Sequence, residues 1–223
     1  MKKVLVVAPH PDDETLGCGG TILKHVAQGD SVYWIIVTSV PESSFWSTEL
    51  IQKRKEEIIS VQGKYSFTEV FELNFPASEL DTVALGDVVK AFSAVIKEIE
   101  PEVIYTTHSG DVHSDHKVVT EAVISASKSF RAKSVKEILS YETLSETEFS
   151  IPGVHERFTA NCFVDISPYM EMKLEIMSLY KSEVMESPFP RSLSCIRSLA
   201  EYRGARIGVK YAEAFNLLLC IRI

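Results

Sequence analysis

Residues 4–22 read VLVVAPHPDDETLGCGGTI: five apolar residues, then a histidine and three acids, then glycines. The run VLVVA (4–8) has the length and β-branched content of a buried strand. Behind it, His10, Asp12, Asp13 and Glu14 crowd the point where the strand hands over to a helix predicted over 16–27 and ended by Gly29. A buried strand passing at once into a helix is the opening of a βα unit, and the chain repeats it.

VYWIIVTS (32–39) reads as a second buried strand, and the segment 47–62 as an amphipathic helix by its period and charge pattern. VFELNF (70–75) is a third strand, DVVKAFSAVIKEIE (87–100) a helix stopped by Pro101, and VIYTT (103–107) a fourth strand. The βαβαβαβ order predicts a Rossmann-like α/β fold: a mostly parallel sheet with helices on both faces. After about residue 130 the pattern loosens, with strands expected at 135–141 and 162–166 and helices near 168–183 and 191–202. The tail YAEAFNLLLCIRI (211–223) receives no assignment. Without repeats, linkers or low-complexity stretches, residues 1–223 are expected to form one domain with a less regular C-terminal part.

The 223 residues carry a net charge of −8, with acids spread along the chain, which argues against nucleic acid or an anionic membrane as partner. Cys18, Cys162, Cys195 and Cys220 are widely separated and form no CxxC pair, as in a reduced cytosolic protein. Five apolar residues are too few for a signal-peptide core, and no run approaches the roughly 18 needed to span a bilayer. A cytoplasmic protein is therefore expected, and the apolar tail leaves room for a homo-oligomer interface.

In open α/β sheets, ligands sit at the carboxyl ends of the strands beside the topological switch point. Two chemically dense stretches fall there: PHPDDE (9–14) after the first strand and HSGDVHSDH (108–116) after the fourth. They lie about 100 residues apart in sequence and are predicted to meet at one rim. His10 and Asp13 are three apart, as are His113 and His116, with Asp115 between them. Asp12 and Asp13, being adjacent, cannot point the same way, so one can bind an ion while the other faces the place of a water or substrate. A His, Asp and His set with a vacant position is how a catalytic metal is held. The alternative for each loop alone is ordinary: a helix N-cap from Asp12 or Asp13, and a chance HxxH. GCGG (17–20) lacks both GxGxxG spacing and a Walker lysine, so its glycines read as close helix–sheet packing. His25 reads as a surface or packing residue, His108 as support for its loop, and Asp111 as an outer partner for a ligand histidine. His155 lies in a loop able to cover the pocket, and Cys18 has no neighbouring base that would make it a nucleophile.

The run APHPDDETLGCGG (8–20), followed far downstream by HSDH (113–116), resembles the LmbE/PIG-L family of zinc-dependent N-deacetylases acting on N-acetylglucosamine-type sugars. Serine stands where proline is common in the second motif, and YAEAF (211–215) also looks like a family feature. The resemblance implies Zn2+ held by His10, Asp13 and His116, with Asp12 as general base toward the attacking water. It implies that His113 stabilises the oxyanion or protonates the leaving amine, and that Asp115 orients it. It also offers Arg54, in KRKEE (53–57), as a contact to the sugar; the other reading of Arg54 is a solvated helix face. The implied partner is a small-molecule N-acetyl amino sugar or conjugate. Fe2+ suits the same ligands, which leaves a non-haem iron enzyme and a non-catalytic metal- or sugar-binding module as competing classes. The segments 40–50, 76–86 and 143–160 are expected to form the pocket's outer wall, with Phe45, Trp46, Phe75, Phe149 and Phe158 in or beside them as candidates to stack on a ring.

Overall fold

From Val4 onward β1 (Lys3–Ala8) is buried at every residue, on both faces, which is why its sequence shows no alternation. Val4, Val6 and Ala8 point into one hydrophobic layer, Leu5 and Val7 into another. The computed structural model describes residues 1–40 and 47–222. In chain order the remaining elements are α1 (Asp13–Ala27), β2 (Ser31–Ser39), α2 (Thr48–Tyr65), β3 (Glu69–Pro76), α3 (Leu85–Ile99), β4 (Val103–Thr106) and α4 (Ser114–Ala126). After these come β5 (Glu137–Tyr141), β6 (Cys162–Asp165), α5 (Met170–Met177), α6 (Leu193–Ile207) and β7 (Ala212–Cys220).

The seven strands form one sheet in the order β3-β2-β1-β4-β5-β7-β6. Strands β1 to β5 pair in parallel, and β7 runs antiparallel to both β5 and β6. Helices α1, α2, α5 and α6 pack one face through residues such as Ile22, Tyr65, Leu174 and Ile196. Helices α3 and α4 pack the other through Phe92, Ile96, Val119 and Val123. This is the mostly parallel sheet with helices on both faces that the sequence predicts. Its order reverses between β1 and β4, which puts the switch point at the ends of the two strands that carry the charged loops.

Some expectations change. Helix α1 begins at Asp13, not near 16, so the acidic loop is itself the first helical turn. Helix α4 takes in the last three residues of the expected loop 108–116 and runs on through 117–126, which the sequence reading leaves unassigned. The unassigned tail is the long strand β7. The helix expected over 168–183 shrinks to Met170–Met177. No helix among the described residues is long and apolar enough to cross a membrane.

The glycines of GCGG serve packing. A β-carbon on Gly17 would lie 2.0 Å from the Tyr141 ring, and one on Gly20 2.7 Å from Ile166. Helix α1 is also broken at Cys18 (φ −141°, ψ 21°), which frees donors at the start of its second half and acceptors at the end of its first. Glu213 on β7 caps that break, accepting from Gly20 N at 2.8 Å and Thr21 N at 2.7 Å. Lys173 on α5 completes it, donating to Glu213 at 2.6 Å and to Leu16 O at 3.0 Å. Both side chains are buried. Replacing Glu213 by alanine leaves a buried ammonium without its counter-charge and two backbone donors without acceptors, and is expected to lower unfolding stability by about 3–5 kcal/mol. Urea unfolding checks this, and a change below about 1 kcal/mol would show that the pair does not hold the kink.

Candidate metal centre

Three short segments build the site. His10 follows β1, Asp12 sits at the N-cap of α1 and Asp13 is the first residue of that helix. Asp12 has φ 125° and ψ −29°, a conformation non-glycine residues rarely adopt and one that clusters at functional positions. Its amide donates to the buried Glu14 carboxylate at 3.0 Å, which in turn accepts from Tyr180 Oη at 2.8 Å. His113 is the N-cap of α4, its ring Nδ1 accepting from the Asp115 amide at 3.2 Å, and Asp115 and His116 lie in the first turn.

The two loops meet, as their places at the strand ends predict. Ring centroids lie 4.5 Å apart for His10 and His113, 5.6 Å for His10 and His116, and 5.3 Å for His113 and His116. Two overlapping groups bring ligand atoms within 4.8 Å of one another: His10, Asp13 and His116, and His10, His113 and Asp115. The hydrogen bonds choose between them. Asp115 is committed, accepting from His10 Nε2 at 3.0 Å, Ser78 N at 2.8 Å and Leu80 N at 3.1 Å. His116 Nε2 is buried without a hydrogen-bond partner, 3.4 Å from Asp13 Oδ2, while its Nδ1 is engaged by Asp111 at 2.8 Å. Likewise His10 Nδ1 lies 3.3 Å from Asp13 Oδ2 with its other nitrogen on Asp115. A ring held by a carboxylate on one nitrogen with the other left bare is the arrangement of a metal-ligating histidine. His10, Asp13 and His116 therefore fit a divalent ion.

The electrostatics agree. Burial alone would lower the His10 pKa, but hydrogen bonds to Asp115 and Asp13 raise it to about 9. His116 behaves the same way: burial works against its charge, and Asp13 and Asp111 push it well above the ordinary histidine value. Burial would raise the Asp13 carboxyl, but His116 and His10 hold it well below the usual range. The cluster thus attracts positive charge at the point where the three ligand atoms converge.

His113 differs. Burial, with His10 and His116 beside it, drops its pKa to about 4. The family resemblance implies that Asp115 orients this ring through its carboxylate. Instead the carboxylate turns to His10 and two backbone amides, and only the Asp115 N–H reaches His113. With Nδ1 used as acceptor, a neutral His113 carries its proton on Nε2.

Asp12 is buried beside Asp13, and burial together with that neighbour raises its pKa well above the carboxylate norm. Arg191, just ahead of α6, donates to Asp12 Oδ2 at 3.2 Å and bridges to Glu183 at 3.0 Å. The sequence offered no signal for Arg191, which is 179 positions from its partner. Arg54 is no solvated helix residue: its side chain is 13% exposed, bonds Pro11 O and Glu183, and lies 5.1 Å from the Tyr180 ring centroid.

The other singled-out residues find ordinary places. His108 braces its loop by bonding Glu156 O at 2.9 Å. His25 has the acidic partner the sequence did not reveal, Asp30 at 2.8 Å, and touches Tyr105 Oη at 3.0 Å. His155 accepts from Ile151 N, within its own loop. Burial pushes the Cys18 thiol well up, which suits an inert packing residue. Phe149 is exposed, Phe158 packs edge-on to His108 at 5.4 Å, and Phe45 and Trp46 lie outside the described residues.

Asp111 does place as an outer partner of His116, and Thr147 Oγ1 donates to its second oxygen at 2.7 Å. If the three residues hold a divalent ion, Asp111→Ala is expected to weaken its binding about 10–100-fold, measured with zinc as the probe by competition with a chelator. Unchanged affinity would show that His116 needs no help in presenting Nε2.

Known proteins share this architecture. Diacetylchitobiose deacetylase of Thermococcus kodakarensis is 26% identical over 227 residues, covering 98% of this chain and 84% of the relative. The solved N,N'-diacetylchitobiose deacetylase from Pyrococcus horikoshii matches with a TM-score of 0.78 at 23% identity, over 98% of this chain and 84% of that one. A 4-carboxy-2-hydroxymuconate hydratase from Pseudomonas putida has the same fold, with a TM-score of 0.76 at 16% identity over 100% of this chain and 98% of that one. The fold alone therefore does not name a reaction. Residues 5–127, which contain both charged loops, match the family described as PIG-L, GlcNAc-PI de-N-acetylase, and the chain belongs to that family.

Proposed function

We propose that this chain is a zinc-dependent N-deacetylase that hydrolyses an N-acetylated amino sugar of the N-acetylglucosamine type, or a conjugate of one, to the free amine and acetate. The observation that carries this is the bare, buried Nε2 of His116, which converges with an Asp13 carboxylate oxygen and a ring nitrogen of His10. Family membership and relatives named as deacetylases support the same chemistry. With four free cysteines and no spanning helix among the described residues, we place the protein in the cytoplasm.

His10, Asp13 and His116 would hold the ion, which when bound supplies a Lewis acid for the amide carbonyl and lowers the pKa of its water to near 7. Asp12, next to the ligand Asp13 but turned to Arg191, takes the proton of the attacking water. Its positive-φ backbone, with the amide held by Glu14, lets the carboxylate reach Arg191 while Asp13 alone joins the two histidines. His113, with Nδ1 satisfied by the Asp115 amide, donates from Nε2 to the oxygen on which negative charge develops. Asp12 then returns its proton to the nitrogen, so that the C–N bond breaks to an amine and acetate. Arg54 and Arg191 flank Asp12, which supports assigning them to hydroxyls of the sugar.

The test is a panel of free and conjugated N-acetyl sugars incubated with zinc-loaded protein under argon, with amine and acetate both quantified. Equal yields of the two products are expected from at least one substrate. Metal-loaded protein that releases neither product from any member would sink the assignment, and a strict need for oxygen would transfer it to iron chemistry.

A further inference from the structure

A cavity of about 460 Å3 opens between the segment after β5 and the flank of α6, on residues none of which belongs to the metal centre. Its volume lies within the range of small-molecule sites. Leu144, Leu199 and Phe158 supply apolar wall. Phe158 is held edge-on to His108 at 5.4 Å, with the Arg203 guanidinium 5.8 Å from its ring centroid. The polar side is a forked ion pair, Arg203 Nε to Glu142 Oε1 at 2.8 Å and Nη2 to Oε2 at 2.5 Å. Glu148 and Arg157 add one charge of each sign, so the lining holds two acids and two arginines and favours neither anion nor cation. The hydroxyl of Thr143, in the same wall, is buried without a partner, an unusual state for a native polar group.

We infer that this cavity binds a neutral, hydroxyl-rich ring of pyranose or cyclitol type. The forked Arg203–Glu142 pair, with Arg157 and Glu148, offers donors and acceptors to hydroxyls, and Phe158 and the leucines offer surface to the ring's C–H face. The site is wired to the metal centre. Thr147, in its lining, donates to Asp111 at 2.7 Å, and Asp111 holds His116 at 2.8 Å, so two hydrogen bonds separate the cavity wall from a ligand histidine. The ring has two sources with one chemistry: the second unit of a sugar conjugate undergoing deacetylation, or a free sugar acting as effector. Binding stands independently of the deacetylase assignment; only the choice between sources rests on it.

Calorimetric titration with glucose and with myo-inositol, neither of which has an acetamide, tests binding. Wild-type protein is expected to bind at least one ring saturably, Leu199→Trp, which fills the cavity, to weaken it about tenfold or more, and Phe158→Ala to weaken it as well. No saturable binding by the wild type, or equal affinity in both variants, would overturn the inference. Rates on N-acetylglucosamine and on its disaccharide then separate the sources. If the ring is the substrate's own, Leu199→Trp lowers kcat/KM for the disaccharide about tenfold and leaves the monosaccharide unchanged. If it is an effector, the variant matches wild type on both, and added glucose or inositol changes only the wild-type rate. Protein that binds the rings but deacetylates nothing would refute the deacetylase assignment and leave the cavity's ligand class standing.

Discussion

Asp12→Asn is expected to lower kcat by between about a hundredfold and ten-thousandfold while leaving zinc content at the wild-type level. Asparagine has the same shape, tolerates positive φ better than most residues, and can still accept from Arg191, so the φ 125° turn and the guanidinium contact both survive. What disappears is the only function asparagine cannot supply: taking a proton from water and handing it to the departing nitrogen. The proposed ligand set is untouched, since Asp13 is the carboxylate assigned to the ion and keeps its own bond from His10 N at 2.9 Å. Metal analysis and steady-state rates on the best panel substrate make the measurement. A variant that keeps zinc and turns over near the wild-type rate would remove Asp12 from the chemistry.

His116→Ala is expected to abolish stoichiometric zinc binding at neutral pH, a larger loss than the 10–100-fold of Asp111→Ala, and to take activity to background. The imidazole is fully buried, flanked by Asp13 on one nitrogen and Asp111 on the other. Removing it deletes a ligand and leaves two carboxylates facing one hollow, so added zinc cannot simply restore the site. Chelator competition on the purified variant gives the affinity, and circular dichroism confirms that the fold persists. The companion variant Asp115→Ala decides between the two overlapping ligand groups. If His116→Ala retains zinc and Asp115→Ala loses it, the ion belongs to His10, His113 and Asp115, and the assignment made here falls.

Local chemistry made much of this legible in advance. Strands β1, β2, β4 and β5 are short, strongly apolar runs buried along most of their length, so their burial is written in composition rather than in any partner. The three-residue spacings of His10 with Asp13 and His113 with His116 are local too, and placing both at strand ends needed only the alternation of elements. Helix α4 escaped notice because its start is capped by a histidine ring, not by the usual short polar side chain, and SDHKVV looks like loop. Strand β7 escaped because nothing local tells an antiparallel return from a frayed tail.

The amino-acid sequence by itself determined the parallel strands of the sheet, the placing of both charged loops at strand ends and the residue types gathered there, because hydrophobic period and short spacings act between neighbours along the chain. Only the tertiary structure decided what each carboxylate does: Asp115 turned to His10, Glu213 capping a helix break 193 positions away, and Arg191 reaching Asp12. Those contacts are settled by burial, where every charge must find a partner, and the partner the fold supplies has no signature in the residues beside it.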